Sequence, residues 1–233
     1  MLHLLRRHPL PMAACLRRVL ALTYAFPREQ LEPLVPPGLE LDTLRGHGFA
    51  AVALVQVERL RPAFAPQAVS VSAFMAGYRV FVRAGTSLRG LRIIRSETDS
   101  RTLAALGNLT TRYGWRHVPV SWSVDGKSLH IRTPTLDIAA DLRAAGLPAG
   151  SPFADLNEAR RFAGPMPYTF EHEPETGRVV AVRGTRGSWD LQPVSVTAYR
   201  CDFCAGGTLA NAFHVADVDY RWRRGYLIPT RTR

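Results

Sequence analysis

VSVSAFMAGYRVFV, at residues 69–82, is the stretch whose pattern decides the fold. Its apolar side chains first occupy odd positions, such as Val71 and Met75, and then even positions, such as Tyr78 and Val80. Successive side chains of a strand point to opposite faces, so this change of parity predicts one extra residue, a β-bulge, near Gly77. Because bulges bend strands, the stretch indicates a strongly curved sheet.

The rest of the chain repeats this signal and adds further strands. Parity also changes within residues 194–204 and 212–222, which predicts two more bulged strands. Apolar runs at 19–26 and 49–60 predict two buried strands, and Asp125-Gly126 predicts the turn of a hairpin between 115–124 and 128–133. Two further strands, around 166–172 and 179–183, are joined by Glu175-Thr176-Gly177.

Helices are few in this pattern. A short helix is predicted at 28–34, a helix at 101–113 with Leu103, Leu106 and Leu109 on its apolar face, and another at 154–163. The sequence therefore predicts an α+β, mainly β fold: a strongly curved antiparallel β-barrel with a central pocket and about two attached helices. We expect one domain over 1–233, with a core at about 19–222 and a basic C-terminal tail at 223–233.

The formal charge of +11 raises the question of nucleic-acid binding. Only Lys127 is a lysine, and the arginines are spread over nearly every segment, as codon bias in a GC-rich bacterial genome would produce. The best case for nucleic-acid binding is the tail, with Arg221, Arg223, Arg224, Arg231 and Arg233. Because the arginines as a whole are not gathered into a basic stripe, nucleic-acid binding is not the favoured interpretation.

The sequence has three cysteines and no long apolar run, and both features indicate the cellular compartment in which the protein folds. An odd cysteine count predicts no disulfide framework, and we expect a cytoplasmic protein that does not span a membrane. Cys201-x-x-Cys204 is interpreted as structural, because two cysteines three apart on a strand point to opposite faces and one packs in the core. Half of a zinc site completed by His214 and His172, or a redox pair, are the alternatives. No metal or other cofactor is predicted.

Several short motifs occur in an order that identifies a resemblance. They are LVPPGLELD at 34–42, Gly46-x-Gly48-Phe49, YRVFV at 78–82, ETDS at 97–100, Gly107 within the helix, and Tyr113-Gly114 at its end. Together they resemble the uncharacterised YqjF-like branch of the acetoacetate decarboxylase-like superfamily over about residues 19–222. The resemblance implies a cone-shaped β-barrel with a central pocket.

One departure from that superfamily concerns its chemistry. In its decarboxylases the helix is followed by Gly-x-Pro-Lys, whose lysine forms a Schiff base with a β-keto acid. The corresponding stretch here is Gly114-Trp115-Arg116-His117, and Lys127 follows a hairpin turn where an exposed amine is expected. The departure predicts a pocket that has lost the covalent chemistry and with it decarboxylase activity.

The candidate site residues follow from this pocket. Arg79, just after the predicted bulge, is the leading candidate to hold a ligand carboxylate through its planar fork, with Tyr113 and Arg116 as further ligand-binding candidates. His117 and Glu97 are the catalytic candidates, and we expect His117 to share a cavity wall with Arg79. A structural ion pair for Arg79 and a solvent-facing position for His117 are the alternatives.

Three functions are compatible with these residues. The first is binding of a small organic acid, or, for an enzyme, non-covalent acid/base chemistry of the lyase type on a small keto or hydroxy acid. The second is a non-catalytic module for ligand sensing or partner contacts, and the third is nucleic-acid binding by the tail. Homo-oligomerisation is left open by the sequence.

Overall fold

The structure is a computed structural model that describes residues 2–85, 87–187 and 189–228. Within these residues the strands are Met12–Pro27 (β1), Glu40–Leu41 (β2), Thr43–Leu44 (β3), His47–Pro62 (β4), Val71–Ala84 (β5), Leu88–Thr98 (β6), Trp115–His117 (β7), Ser121–Asp125 (β8), Ser128–Thr133 (β9), Leu136–Ala144 (β10), Tyr168–Glu173 (β11), Arg178–Arg186 (β12), Gln192–Cys201 (β13), Thr208–Trp222 (β14) and Tyr226–Leu227 (β15). The α-helices are Leu2–Leu5 (α1), Arg28–Leu31 (α2), Arg101–Thr110 (α3) and Leu156–Ala163 (α4). Three 3-10 helices cover Glu32–Leu34, Gln67–Val69 and Asp202–Cys204.

Seven long strands form a closed ring. They follow one another in the order β12, β11, β6, β5, β4, β1 and β14, and β12 pairs back onto β14 through Gly184 with Trp222 and Arg186 with Tyr220. The strands β13, β10, β9 and β8 continue from the other end of β14 as a second layer. The mainly β prediction is confirmed, and the strong curvature takes the form of this ring.

The ring strands present two faces of different character. One face packs against the second layer and forms the largest apolar core, which includes Leu22, Val52, Leu54 and Ile138. The opposite face carries small residues and smaller apolar clusters, covered in part by Leu103 of α3 and by Phe162 of α4. The ring interior described below lies on this second face.

The predicted bulge lies near Gly77, but its extra residue is on the neighbouring strand. The pairing of β5 with β6 shifts between Tyr78 and Arg79, so that Ile94 of β6 is the extra residue. The prediction of an extra residue within β5 is wrong, because the even-numbered residues 74–82 of β5 all face the main core and the apolar Val71 that suggested the parity change is exposed.

The other two parity changes are found within the strands for which they were predicted. Pairing of β10 with β13 shifts near Thr197. In β14 the alternation changes at Asp217, whose φ is 55°, so that Val215 and Val218 face the same apolar cluster.

The helices lie where the sequence predicts them, but the buried face of α3 differs from the predicted one. Ser100 caps α3 by accepting a hydrogen bond from the Leu103 amide, as the turn sequence predicts. The prediction of a buried apolar face is wrong for Leu106 and Leu109, which are exposed, because α3 instead packs Ala104 and Gly107 against the protein. Four helices are described rather than about two, although α1 and α2 have only four residues each.

Two smaller differences concern the ends of elements. The hairpin turn is Gly126-Lys127 between the paired residues Asp125 and Ser128, one residue later than predicted. The predicted tail is only partly described, since Arg231 and Arg233 lie outside the described residues. No described helix has the length and apolar character needed to cross a membrane.

Candidate functional site

Arg79 projects into the ring interior, where its guanidinium group folds back over Gly77. An ideal Cβ built on Gly77 would lie 2.9 Å from Arg79 Nε and 3.0 Å from Nη2. Gly77 and Arg79 are two residues apart on one strand and therefore share a face. The absence of a side chain at position 77 is what makes room for the guanidinium.

The surrounding surface consists of small residues in register. Gly77 pairs with Ala53, and Ala53 pairs with Ala21, so one row across three strands carries almost no side-chain volume. Arg79 pairs with Ala51 in the neighbouring row. We call the space above these residues the arginine recess.

Water has access to the arginine recess. Ala51 and Ala53 are 7% and 5% exposed, whereas Val52 and Leu54, on the opposite face of the same strand, are 0% exposed. Arg79 also keeps part of its surface accessible. A close-packed interior leaves no such surface, so a space of at least water size remains above the small residues.

The charge of Arg79 has no carboxylate partner among the described residues, and its buried Nε makes no hydrogen bond there. Burial lowers the pKa of the Arg79 guanidinium, and the phenolic groups of Tyr220 and Tyr113 partly offset this shift. Desolvating a cation without a partner is costly. The alternative interpretation of Arg79 as half of a structural ion pair therefore has no partner in the described part of the chain.

A second polar side chain of the same face is also unsatisfied. Asn211 pairs with Thr23, which pairs with Ala51, the partner of Arg79, so these side chains lie in one row across β14, β1, β4 and β5. Asn211 is buried, and neither its amide nitrogen nor its oxygen has a hydrogen-bond partner within the described residues. Buried amides are normally paired, so this row offers unfilled donors and an acceptor.

Tyr113 and the N-terminal segment lie beside the arginine recess. The Tyr113 hydroxyl is 3.0 Å from Thr169 Oγ1, and the ring centroid of His8 is 4.8 Å from that of Tyr113. Burial, and then nearby Glu171, raises the pKa of Tyr113 well above its ordinary value. His8 Nε2 is 3.1 Å from Glu171 Oε1, which holds the segment against β11.

Glu97, a predicted catalytic residue, lies on the other face of the sheet, away from the arginine recess. It is fully buried and accepts hydrogen bonds from Tyr78 Oη at 2.8 Å and Thr135 Oγ1 at 3.0 Å. Arg95 Nε lies 3.4 Å from Glu97 Oε1, and the Arg95 guanidinium is 4.2 Å from the Tyr78 ring centre. Burial and the proximity of Glu97 raise the pKa of Tyr78, although its hydrogen bond with Thr135 opposes the shift.

An open depression of about 400 Å³ reaches the surface above this network. The residues that line it are Ile94, Arg95, Asn108, Gly114, Trp115, Arg116 and Phe203. Arg116, a predicted ligand-binding residue, therefore lines this depression, whereas Arg79 and Tyr113 lie at the arginine recess. Four of the five residues predicted for one pocket are therefore divided between two places.

His117 joins neither group. It is exposed on β7 and pairs with Thr98 of β6, whereas Arg79 pairs with Ile93 of the same strand. Five residues of strand separate those two positions, which corresponds to about 17 Å. The expected shared wall is not formed, because the three-residue strand β7 places the His117 imidazole toward solvent.

The cysteine pair differs from its prediction in geometry. Cys201 and Cys204 are both free and both buried, because Asp202–Cys204 turns as a 3-10 helix and brings the second cysteine back to the core face. A hydrogen bond with Cys204 lowers the pKa of Cys201, and the same interaction raises the pKa of Cys204. Within the described residues no group of three or more His, Cys, Asp or Glu side chains is placed to hold a metal ion.

The sequence missed several residues that build these sites. Gly77 was interpreted only as a bulge signal, yet its spacing of two from Arg79 on one strand indicates space above it. Tyr220 and Asn211 are brought near by ring closure and by pairing between distant strands, for which the sequence offers no local signal. Arg95 is one arginine among many until its contact with buried Glu97 is seen.

Comparison with known proteins agrees with this architecture. A family model for DUF2071, described as an uncharacterised conserved protein, matches residues 13–219. No curated protein sequence gives a match.

Solved structures with a similar fold are acetoacetate decarboxylases and related enzymes. Acetoacetate decarboxylase from Legionella pneumophila subsp. pneumophila str. Philadelphia 1 superposes with a TM-score of 0.64 at 13% identity, over 95% of this chain and 88% of that one. An acetoacetate decarboxylase-like enzyme from Sphingomonas wittichii RW1 gives 0.59 at 14% identity, over 95% and 93%. The enduracididine biosynthesis enzyme MppR, complexed with pyruvate, gives 0.60 at 12% identity, over 94% and 90%. At these identities the similarity establishes an acetoacetate decarboxylase-like fold and nothing about activity.

Proposed function

The chain belongs to the DUF2071 family, and from that premise we propose that it binds a small organic acid in the arginine recess without forming a Schiff base. The carboxylate of the ligand pairs with the guanidinium of Arg79. The hydroxyl groups of Tyr113 and Tyr220, and the amide of Asn211, are available for the other polar groups of the ligand. This protein is then a binding protein with an acetoacetate decarboxylase-like fold, and it has no decarboxylase activity.

The observation that carries the proposal is the uncompensated charge of Arg79. A buried guanidinium is normally paired with an acid, and here none of the described residues supplies one. A carboxylate ligand would supply the missing charge and accept two parallel hydrogen bonds from the planar fork. Small residues around the guanidinium leave a space of at least water size beside it. MppR, of similar fold, is described as complexed with pyruvate, which is consistent with a small keto acid as ligand.

Absence of a Schiff base follows from the position of the one lysine. Lys127 is exposed on the turn between β8 and β9, where its amine is hydrated and far from a buried pocket that would favour a Schiff base. Borohydride reduction with pyruvate or acetoacetate is therefore expected to leave Lys127 unmodified in peptide mass spectrometry. A stoichiometric adduct on Lys127 would refute this part of the proposal.

Calorimetric titration with pyruvate, acetoacetate and acetate tests the binding itself. We expect one site per chain for at least one keto acid and a weaker response to the corresponding uncharged amide, because the guanidinium recognises charge. If none of these acids binds at millimolar concentration, the proposed function is wrong.

Gly77→Ala provides a test that leaves the charge in place. The added methyl group would meet Arg79 Nε at 2.9 Å, so the guanidinium must move away from its position over residue 77. We expect about a tenfold loss of affinity, equivalent to about 1.4 kcal/mol, with an unchanged unfolding midpoint. Gly146→Ala is the matched control, because an added Cβ there meets nothing within 4 Å. Equal affinity in the two variants would contradict the proposed position of the ligand.

A further inference from the structure

The open depression above Glu97 is built as a second site, separate from the arginine recess. Its wall from Gly114 to Arg116 is held in place by side chains that are already satisfied. Asn108 Nδ2 donates to the Trp115 carbonyl at 2.9 Å, and Asn108 Oδ1 accepts from the Trp115 amide at 2.9 Å. The Trp115 ring packs on Gly107, where an added Cβ would lie 2.5 Å from it. The depression is therefore preformed, and its ligand need not order this wall.

The side chains at and directly below the depression carry a net charge of +1. Arg95 and Arg116 contribute two cations, and the buried Glu97 behind Arg95 contributes one anion. Arg95 Nε and Nη2 are buried and make no hydrogen bond to the described residues, while its side chain keeps 21% exposure at the depression. The exposed part of the Arg95 guanidinium and the side chain of Arg116 both face the depression. A ligand with a single negative charge would neutralise the net charge of this site.

Aromatic surface frames the same space. Phe203 lines the depression, and its ring is 5.6 Å from that of Tyr78 in an edge arrangement, which holds it in one orientation. The Arg95 guanidinium, stacked on Tyr78 at 4.2 Å, presents a flat cationic surface next to it. Rings pack well against both aromatic edges and guanidinium planes.

We propose that this depression binds an aromatic monocarboxylate, with its carboxylate between Arg95 and Arg116 and its ring against Phe203. The volume of about 400 Å³ falls within the range for small-molecule sites. Glu97 stays paired with Arg95, Tyr78 and Thr135, and no chemical step is assigned to it. The ligand class differs from that of the arginine recess because the ring of the ligand packs against Phe203 and the flat face of the Arg95 guanidinium.

Titration of the full chain with benzoate tests this proposal. We expect benzoate to bind at least tenfold more tightly than acetate, which lacks the ring, and than benzamide, which lacks the charge. Arg116→Gln and Phe203→Leu should each weaken benzoate about tenfold or more. Because Arg116 is exposed, its replacement is not expected to change folding, and Arg101→Gln, at another exposed position, is the matched control.

Three outcomes would overturn the proposal. The first is equal binding of benzoate, acetate and benzamide. The second is native benzoate affinity in both Arg116→Gln and Phe203→Leu, each verified as folded by circular dichroism. The third is competition with pyruvate. Saturating pyruvate should leave benzoate affinity unchanged, and so should Gly77→Ala. If benzoate instead competes with pyruvate, it occupies the arginine recess and the second site is refuted, while the function proposed for the arginine recess stands.

Discussion

Replacing Arg79 with methionine is expected to stabilise the ligand-free protein by about 1–3 kcal/mol and to weaken keto-acid binding by about 10- to 100-fold. The first effect arises because a buried donor without a partner costs about 1–3 kcal/mol, and methionine fills similar volume without that cost. The second arises because charge-assisted hydrogen bonds contribute about 1.5–3 kcal/mol each. Denaturant unfolding and calorimetric titration measure the two effects on the same samples.

The opposite signs of these two effects separate a ligand-binding role from a structural one. An arginine that stabilises the fold through an ion pair loses stability when replaced, as breaking a buried pair does. Arg143→Met is the matched control, because Arg143 is exposed and paired with Asp141, and its loss should leave the free energy of unfolding nearly unchanged. Destabilisation by Arg79→Met would show that Arg79 supports the fold, and the proposed function would lose its main support.

Strand β5 shows how much of the fold a local pattern contains. The pattern of residues 69–82 predicts a bulge near Gly77, and a bulge lies there in the pairing of β5 with β6, but its extra residue is Ile94 of β6. A local pattern locates the irregular pairing and does not determine which of the two strands carries the extra residue. Ring closure leaves no such pattern. It depends on β12 pairing with β14 over Gly184, Thr185 and Arg186, and nothing in those residues indicates their partners.

The candidate site illustrates a second limit. Arg79 is predicted as a ligand-binding residue from its position after the expected bulge and from the planar fork of its guanidinium, but its lack of an acidic partner is a property of the assembled interior. His117 was chosen from its spacing after Gly114, and spacing along the chain does not determine which way a three-residue edge strand faces. Arg116 and Glu97 were grouped with Arg79, but the structure places them on the other side of the sheet. Neighbouring residues of a strand point to opposite faces, so residues that are close in sequence can line different spaces.

Glu173 is expected to make the N-terminal segment a source of acid-sensitive stability. This fully buried carboxylate accepts two hydrogen bonds from Arg7, at 2.7 and 2.6 Å, and lies 3.6 Å from Arg112 at the end of α3. The hydrogen bonds from Arg7 lower the pKa of Glu173 from 4.5 to about 2, although burial opposes the shift. Because the folded-state pKa lies below the unfolded one, the stabilisation is complete above about pH 5 and is lost as the pH falls toward 2.

The size of this effect follows from linkage, and a variant isolates it. A shift of this size corresponds to about 3 kcal/mol, so Glu173→Gln should lower the free energy of unfolding by about that amount at pH 7. The difference between native protein and variant should shrink between pH 5 and pH 2, because protonation removes from the native carboxylate the charge that glutamine never had. Glu175→Gln, at a half-exposed carboxylate 3.0 Å from Arg112, should lower the free energy of unfolding much less than Glu173→Gln does. A difference for Glu173→Gln that stays constant down to pH 2 would mean that Arg7 and Glu173 contribute through packing and not through charge.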